Sequence, residues 1–572
     1  MKKTIITALA AAMAAGASAE GYQVNTFSAK QEGMGHVGVA MKLGAESQIF
    51  NPGALAFMNK TMEVSGAISA IKSTAYATVG GQEYVTSNKV ATPMNFSAAF
   101  RIYDNLYAGV TLYTPYGSSI NWGKSWPGAV LNQSVDLKVF TVQPTVSWRV
   151  LPNLSIGAGL MIGWGNVNLN KGLATASSMD RLIDLQYEAA TLKYEAARLQ
   201  WNVAKLQQAM GGPDPGDAPI NTTTAPQYRY GNMPPASVNL KGDSELALGF
   251  NVGVLWDINE KWNVGLSYRS KMNMHVTAGD AQVEYADEQA RQLLGSTLDV
   301  INYTNFDASM PCPYVLTAGV SYKPIPRLEL AFDAQLNGWK TYKELNIDFA
   351  NLDKPFDQNL PKNYRNAMTY HIGAQYAMTD RLDLRAGLMI DTNPCNLDYY
   401  NPETPGMTKI EPSVGLSFRP IKGLSIDVAF MYVKGCGQTG ATASYDNLLA
   451  PNYNAGLAQY NAGVAQYKAG VAQFNQVLQS IGQPAYNAYD APNLKEIPSS
   501  ESFIADYTLH ALIPAIGISY SSAGSLQLGA ISLSGLAVGS IVGIVLNAIM
   551  PGKDYVYGED KQGDESVNFI VQ

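Results

Sequence analysis

Charge is scarce in this sequence. Asp, Glu, Lys and Arg make up 15% of 572 residues, with a net charge of −7. No basic surface is available to neutralise a phosphate backbone, which excludes a nucleic-acid partner. Cysteine is rarer still: Cys312, Cys395 and Cys436 are the only three, too few for a disulfide scaffold. The four histidines, at 36, 275, 371 and 510, are scattered. There is no Cys-x-x-Cys, no His-Glu-x-x-His and no Gly-x-Ser-x-Gly. The stretch Gly117 to Gly123-Lys124-Ser125 has five intervening residues where a phosphate loop has four. These absences argue against a metal site, a cofactor, catalytic residues and an enzyme. Long apolar runs are missing from the middle of the chain too. They occur only near its ends, at Ile5–Gly16 and Ala530–Met550, so apolar helices do not form its body.

What is abundant is glycine (52 residues) and tyrosine (33) in segments that alternate with period two. Leu154, Ile156, Ala158, Leu160, Ile162 and Trp164 point one way, and Ser155, Gly157, Gly159 and Gly163 the other. Trp262, Val264, Leu266 and Tyr268 repeat the pattern. So do Leu328, Leu330, Phe332, Ala334 and Leu336; Leu382, Leu384, Ala386, Leu388 and Ile390; and Leu424, Ile426, Val428, Phe430 and Tyr432. Fourteen strands are expected, near 62–78, 91–101, 105–114, 133–150, 152–170, 242–257, 260–277, 311–323, 326–339, 362–378, 381–393, 408–419, 422–436 and 505–521. Tight turns such as Tyr103-Asp104-Asn105, Leu151-Pro152-Asn153 and Thr379-Asp380-Arg381 alternate with long connections. Strict short–long alternation separates the two rims of an outer-membrane barrel. The fold class is therefore all-β: a 14-stranded antiparallel transmembrane β-barrel, with an apolar lipid-facing skin. Charges such as Asp333, Arg385 and Asp427 face its lumen.

Four further segments complete the domain reading. Residues 1–19 read as a signal peptide, with Lys2 and Lys3, the apolar run and Ala17-Ser18-Ala19 before Glu20. Residues 20–58 do not alternate. They carry Gly33, Gly35, Gly38 and Gly44, then Asn51-Pro52-Gly53, and either hang in the periplasm or fold into the lumen. The barrel itself is 59–521, with long external loops at 171–241 and 437–504. In these, residues 179–210 and 453–481 carry heptad stripes: Leu185, Leu192 and Leu199 in the first, Tyr453, Leu457, Tyr460 and Tyr467 in the second. Such helices are expected to pair above the barrel, as a ligand-catching groove, a site for an extracellular or surface partner, or lineage-specific decoration. A short helix is expected near 286–295. Residues 522–572 form a C-terminal extension of unassigned role, with Gly535, Gly539 and Gly543 at helix-packing spacing.

Several stretches in order resemble the FadL/TodX family of outer-membrane transporters for hydrophobic compounds. They are Glu32-Gly33-Met34-Gly35 with Gln48-Ile49-Phe50-Asn51-Pro52-Gly53; Thr114-Pro115-Tyr116-Gly117; Phe140-Thr141-Val142-Gln143-Pro144; Gly249-Phe250-Asn251-Val252-Gly253; Lys261-Trp262 to Tyr268-Arg269-Ser270; Leu336-Asn337-Gly338-Trp339-Lys340; and Leu384-Arg385-Ala386-Gly387. The resemblance implies a barrel in the outer membrane of a Gram-negative bacterium, plugged by an N-terminal hatch. It implies passive uptake of long-chain fatty acids or other apolar compounds such as aromatic hydrocarbons. The ligand would be caught by external loops near 171–241 and 278–310, pass to a pocket beside the hatch, and leave sideways to outer-membrane lipid by a kink in the third strand. Nothing in residues 105–114 places that kink. The family hatch motif is Asn-Pro-Ala; here Gly53 stands for Ala, which leaves the stiffness of the hatch open. Gly33, Gly35, Asn51, Pro52 and Gly53 are the hatch residues, and Arg269, Lys340 and Arg385 the candidate partners of a ligand carboxylate.

Overall fold

A computed structural model describes residues 21–350, 356–522, 526–528 and 531–533. The signal-peptide reading falls outside these residues, as does nearly all of the C-terminal extension. Of the latter, Leu526–Leu528 and Ile531–Leu533 pair with each other.

Fourteen antiparallel staves form the wall. They are β1 (Met62–Ser69), β2 (Met94–Tyr103), β3 (Leu106–Asn121), β4 (Ser134–Leu151), β5 (Leu154–Gly172), β6 (Ala247–Asn259), β7 (Trp262–Arg269), β8 (Val315–Ile325), β9 (Leu328–Asn337), β10 (Ala367–Ala377), β11 (Leu382–Asp391), β12 (Lys409–Phe418), β13 (Leu424–Gly435) and β14 (Ser500–Ser522). Each pairs with its sequence neighbour, and β14 closes on β1 from Met62↔Ser522 to Ser69↔Ala515. Closure leaves no unpaired edge facing hydrocarbon. Short turns at 104–105, 152–153, 260–261 and 326–327 lie on one rim, and every long connection lies on the other. Several staves continue past that outer rim after a break. Examples are Lys72–Val79 after β1, Met272–Tyr285 after β7, and Gln438–Asp446 after β13.

The outward face is apolar over the spanning height: Trp148, Ile156, Leu160, Phe250, Val254, Leu266, Phe332, Val414 and Phe430 are exposed there. At the height of the hatch the inward face is polar and covered, with Thr141, Gln143, Ser147, Ser155, Asn251, Ser267, His371 and Ser413 buried. What covers it is the segment 21–58, which lies inside the cylinder. Its short helices are Ala29–Glu32, capped by Ser28, then Gly44–Glu46, Ser47–Phe50 and Pro52–Phe57.

So short a plug cannot satisfy its own backbone, and the wall supplies the partners. Asp333 accepts from the Gly38 and Val39 N–H groups at 2.6 and 2.9 Å. Asn95 donates to Phe27 O at 2.6 Å, Gln143 to Gln48 O at 2.7 Å, and the Gly35 N–H to Ser413 Oγ at 2.9 Å. The plug and wall also touch backbone to backbone. A Cβ on Gly387 would lie 2.0 Å from Gly35 N, and one on Gly373 2.4 Å from Met34 O.

On the outer side, three α-helices among the described residues build the loops: α1 (Ala176–Ala209), α2 (Glu288–Leu298) and α3 (Ala450–Ser480). α1 and α3 run parallel from the barrel. Leu185, Leu192 and Leu199 sit over Gly456, Gly463 and Gly470, where an added Cβ would meet the leucine at 3.2, 3.2 and 3.3 Å.

Candidate functional site

The inward face of β4 changes character partway up. Thr141, Gln143, Thr145 and Ser147 face the hatch, whereas Val135, Leu137 and Val139 face a space above it. The outward face changes in the opposite sense, from Trp148, Val146, Val142 and Phe140 to Lys138 and Asp136. β5 repeats this, with Ser155, Gly157 and Gly159 below and Val167 and Leu169 above, while its outward face passes from Ile156 and Leu160 to Asn166 and Asn168. No register shift occurs at this level between β4 and β5; Phe140 pairs with Trp164, and their rings lie 6.0 Å apart. The lumen face therefore corrects the uniformly small, polar or charged surface expected from the alternation. It is polar where it must bond the hatch and apolar where it bounds a cavity.

That cavity has a volume of about 90 Å³ and a mostly apolar lining. Val276, Phe306, Met310, Leu345 and Ile347 from the outer strands complete its wall, and Tyr22 of the hatch borders it. Its few polar side chains are engaged. Glu403 is bound by Lys362, Thr404 Oγ1 pairs with Tyr364 Oη at 2.7 Å, and Ser118 Oγ donates to Glu403 O at 3.4 Å. Such a lining suits an apolar molecule.

Beside Tyr22 the wall is interrupted. β2 pairs with β3 only from Tyr103↔Leu106 to Asn95↔Tyr113. On the other side of β3 the register slips between Tyr113↔Thr141 and Tyr116↔Val139, so Thr114 and Pro115 together oppose Phe140. This is a β-bulge, the setting in which a strand accepts proline. Beyond it, the edge of β3 that faces β2 is occupied by the start of the hatch. Val24 N–H donates to Pro115 O at 2.9 Å and Gly117 N–H to Tyr22 O at 2.8 Å. β3 thus extends seven residues past the expected 105–114, to Asn121, and Pro115 was the available signal for the break.

The hatch residues expected from sequence converge on the barrel wall, below this cavity. Asn51 Nδ2 donates to Val39 O at 2.7 Å and to Val254 O at 2.9 Å, and Asn51 Oδ1 accepts from Gly53 N–H at 3.0 Å. Pro52 starts the turn Pro52–Phe57, and Gly53 O accepts from Ser147 Oγ and Ser155 Oγ at 3.1 and 2.6 Å. Gly33 rests on Gly415 and Gly35 on Leu388 and Gly387. Phe27 N–H donates to His36 Nε2 at 3.0 Å, which needs a neutral ring; burial, then the charges of His371 and Arg269, hold His36 well below its ordinary range.

The three basic candidates do not line the cavity. Arg269 is buried in the hatch core, with its guanidinium donating to Ile49 O at 3.1 Å and lying over the Phe27 and Tyr113 rings. Arg385 lies between Asp427 at 3.3 Å and Asp383 at 3.7 Å. Lys340 is exposed on the outer rim. Glu403, which lines the cavity, and Lys362, which is bound to it, come from loops whose spacing gave no hint of them.

Comparison with known proteins agrees with this geometry. Residues 10–471 match the outer membrane protein transport protein family (OMPP1/FadL/TodX). Outer membrane protein P1 of Haemophilus influenzae is 23% identical, over 76% of this chain and 91% of its own length. The long-chain fatty acid transport protein of Escherichia coli is 21% identical, over 76% and 92%. Among solved structures, a Pseudomonas aeruginosa FadL homologue superposes with a TM-score of 0.60 at 16% identity, covering 88% of this chain and 99% of that one. The Pseudomonas putida toluene transporter TodX gives 0.53 at 15%, covering 88% and 99%. A barrel with a lipid-facing skin, an internal plug and this match over most of its length place the chain in the outer membrane of a Gram-negative bacterium, as a member of the OMPP1/FadL/TodX family of transport proteins.

Proposed function

We propose that this protein takes up long-chain fatty acids or similar hydrophobic compounds by passive diffusion. The external loops collect the ligand, the apolar cavity above the hatch holds it, and it leaves sideways between β2 and β3 into outer-membrane lipid. The observation that carries this reading is the interrupted pairing at Thr114-Pro115, occupied from inside by Tyr22–Val24. Withdrawal of that short segment breaks two backbone hydrogen bonds and connects the cavity to the wall. An aliphatic chain gains about 0.8 kcal/mol per CH₂ on passing from water to hydrocarbon, so no energy source is required.

Small aromatic hydrocarbons are the second reading, favoured by the Tyr22, Phe306 and Tyr342 rings around the cavity. Mass spectrometry of lipid extracted from full-length protein, purified from outer membranes, separates the two. Bound fatty acid is the expected result. Extracts holding aromatic compounds and no acyl chains would support the second reading in its place.

A further inference from the structure

The chain that returns from the tip of α3 shows how the helix pair α1–α3 holds polypeptide. Tyr453 Oη and Tyr460 Oη donate to Lys495 O and Pro492 O, and Tyr489 N–H donates to Tyr467 Oη. The tyrosines stand seven residues apart on α3, and their partners three residues apart on the returning chain. A heptad of helix rises about 10.5 Å, and three residues of extended chain span about 10 Å, so the two repeats stay in step. A groove of about 670 Å³ runs along the same helix pair, lined by α1 and α3 alone. Small residues lie along it: Ala189, Ala196, Gly456, Gly463 and Gly470. Its rims carry long polar side chains at the same heptad interval, Gln186, Lys193 and Gln200 on α1, and Gln459 and Gln466 on α3. All five are exposed, and among the described residues none hydrogen-bonds to their side chains.

We propose that this groove binds an extended polypeptide segment of another protein, one that carries an acidic residue. A glutamine amide both donates and accepts, so the rims offer a passing backbone both kinds of bond at each heptad. The small residues between them leave room for side chains that point inward. Lys193 is the only charged side chain lining the groove, and it has no ion pair among the described residues. An Asp or Glu of the partner therefore belongs opposite it. A third helix fits poorly, because a coiled-coil seam is apolar and this surface alternates Ala or Gly with Gln or Lys. A second copy would bring another Lys193 and no acid. The groove stands on the outer loops, apart from the uptake route, and adds a recognition site to it.

The test pans a phage-displayed library of random dodecapeptides against the full-length protein in detergent, then measures the Kd of each recovered peptide in free form. The expected peptides carry Asp or Glu and bind the wild type. Ala196→Trp fills the groove and should weaken them by about tenfold or more, whereas Ala190→Trp, exposed on α1 outside the groove, should leave them unchanged. If the Ala196→Trp protein does not fold, Gln459→Ala with Gln466→Ala serves in its place, with the same loss expected. Lys193→Glu should also cost about tenfold, and changing the acid of the peptide to Lys should restore binding to that variant. Recovery of no binding peptide overturns the proposal, as do peptides indifferent to the groove variants or to the charge exchange. Self-association of the wild type that Ala196→Trp abolishes would assign the groove to a second copy. Displacement of the peptides by a long-chain fatty acid would assign it to the transported ligand. Either result overturns the proposal too.

Discussion

At the scale of single residues, the hatch is fixed by groups whose positions were visible in the sequence but whose reasons were not. Asn51-Pro52-Gly53 stood out as a motif, with its glycine read as added freedom. Gly53 does not occupy the left-handed region. It is small because the wall passes close by: a Cβ there would lie 2.8 Å from Gly253 O. That contact joins residues 200 positions apart, beyond any local reading. Gly53→Ala is expected to cost about 1–3 kcal/mol by overpacking, seen as a lower melting temperature and faster proteolysis within residues 21–58. Arg385 was read as a carboxylate partner, and its surroundings assign it another task. Arg385→Met leaves Asp427 without its cation, while Asp383 keeps Arg419, so it should destabilise the barrel by about 3–5 kcal/mol. Glu32, whose Oε2 accepts from Ser69 Oγ at 2.8 Å, is pushed by burial from 4.5 up to about 8. Its protonated form belongs to the docked hatch. The stability it contributes is intact below about 4.5 and is lost as pH rises to about 8. Hatch protection from proteolysis should therefore fall over that range, and Glu32→Gln should flatten the dependence.

At the scale of elements, the staves were legible because a lipid skin forces strict alternation. Their interruptions were not. The breaks at 70–71 and 270–271 lie where strands leave the membrane and the alternation relaxes. The two long helices and their pairing were legible from their heptads, but the returning segment that shares their seam was not. The Tyr453, Tyr460 and Tyr467 stripe of α3 packs on the returning segment 486–497. Tyr453 Oη donates to Lys495 O at 3.1 Å, Tyr460 Oη to Pro492 O at 3.2 Å, and Tyr489 N–H to Tyr467 Oη at 3.0 Å. The glycines of α3 let α1 come close, with the tyrosines beside them in the same cluster as the α1 leucines. Apolar residues mark a buried stripe; a glycine row marks only that something comes close. Gly463→Leu puts a side chain where Leu192 already lies, so it should part the helices. Hydrogen exchange over 176–209 and 450–480 would then rise sharply. Exchange across β1–β14 should stay protected, since the staves do not depend on these helices.

At the scale of the whole molecule, the plug and the wall form one packed body, and the uptake reading requires them to part at one place. Val24 and Pro115 are bonded neighbours there. In a background without the native cysteines, Val24→Cys with Pro115→Cys should form a disulfide that stops fatty acid uptake by cells, with reductant restoring it. Uptake that continues through the oxidised protein would show that the route lies elsewhere. The bulge also has a definite height. It stands opposite Phe140, which pairs with Trp164 at the level where both outer faces turn from greasy to polar. The apolar skin from Phe140 to Val150 is about 33 Å along the strand, or roughly 25 Å once a tilt near 40° is allowed for, which is the thickness such a barrel presents to hydrocarbon. On the proposed route the exit is therefore level with the upper boundary of the oily layer and not with its centre. An amphiphile stepping through it would reach the leaflet at headgroup depth, keeping its acid end among the polar heads while its tail sinks inward.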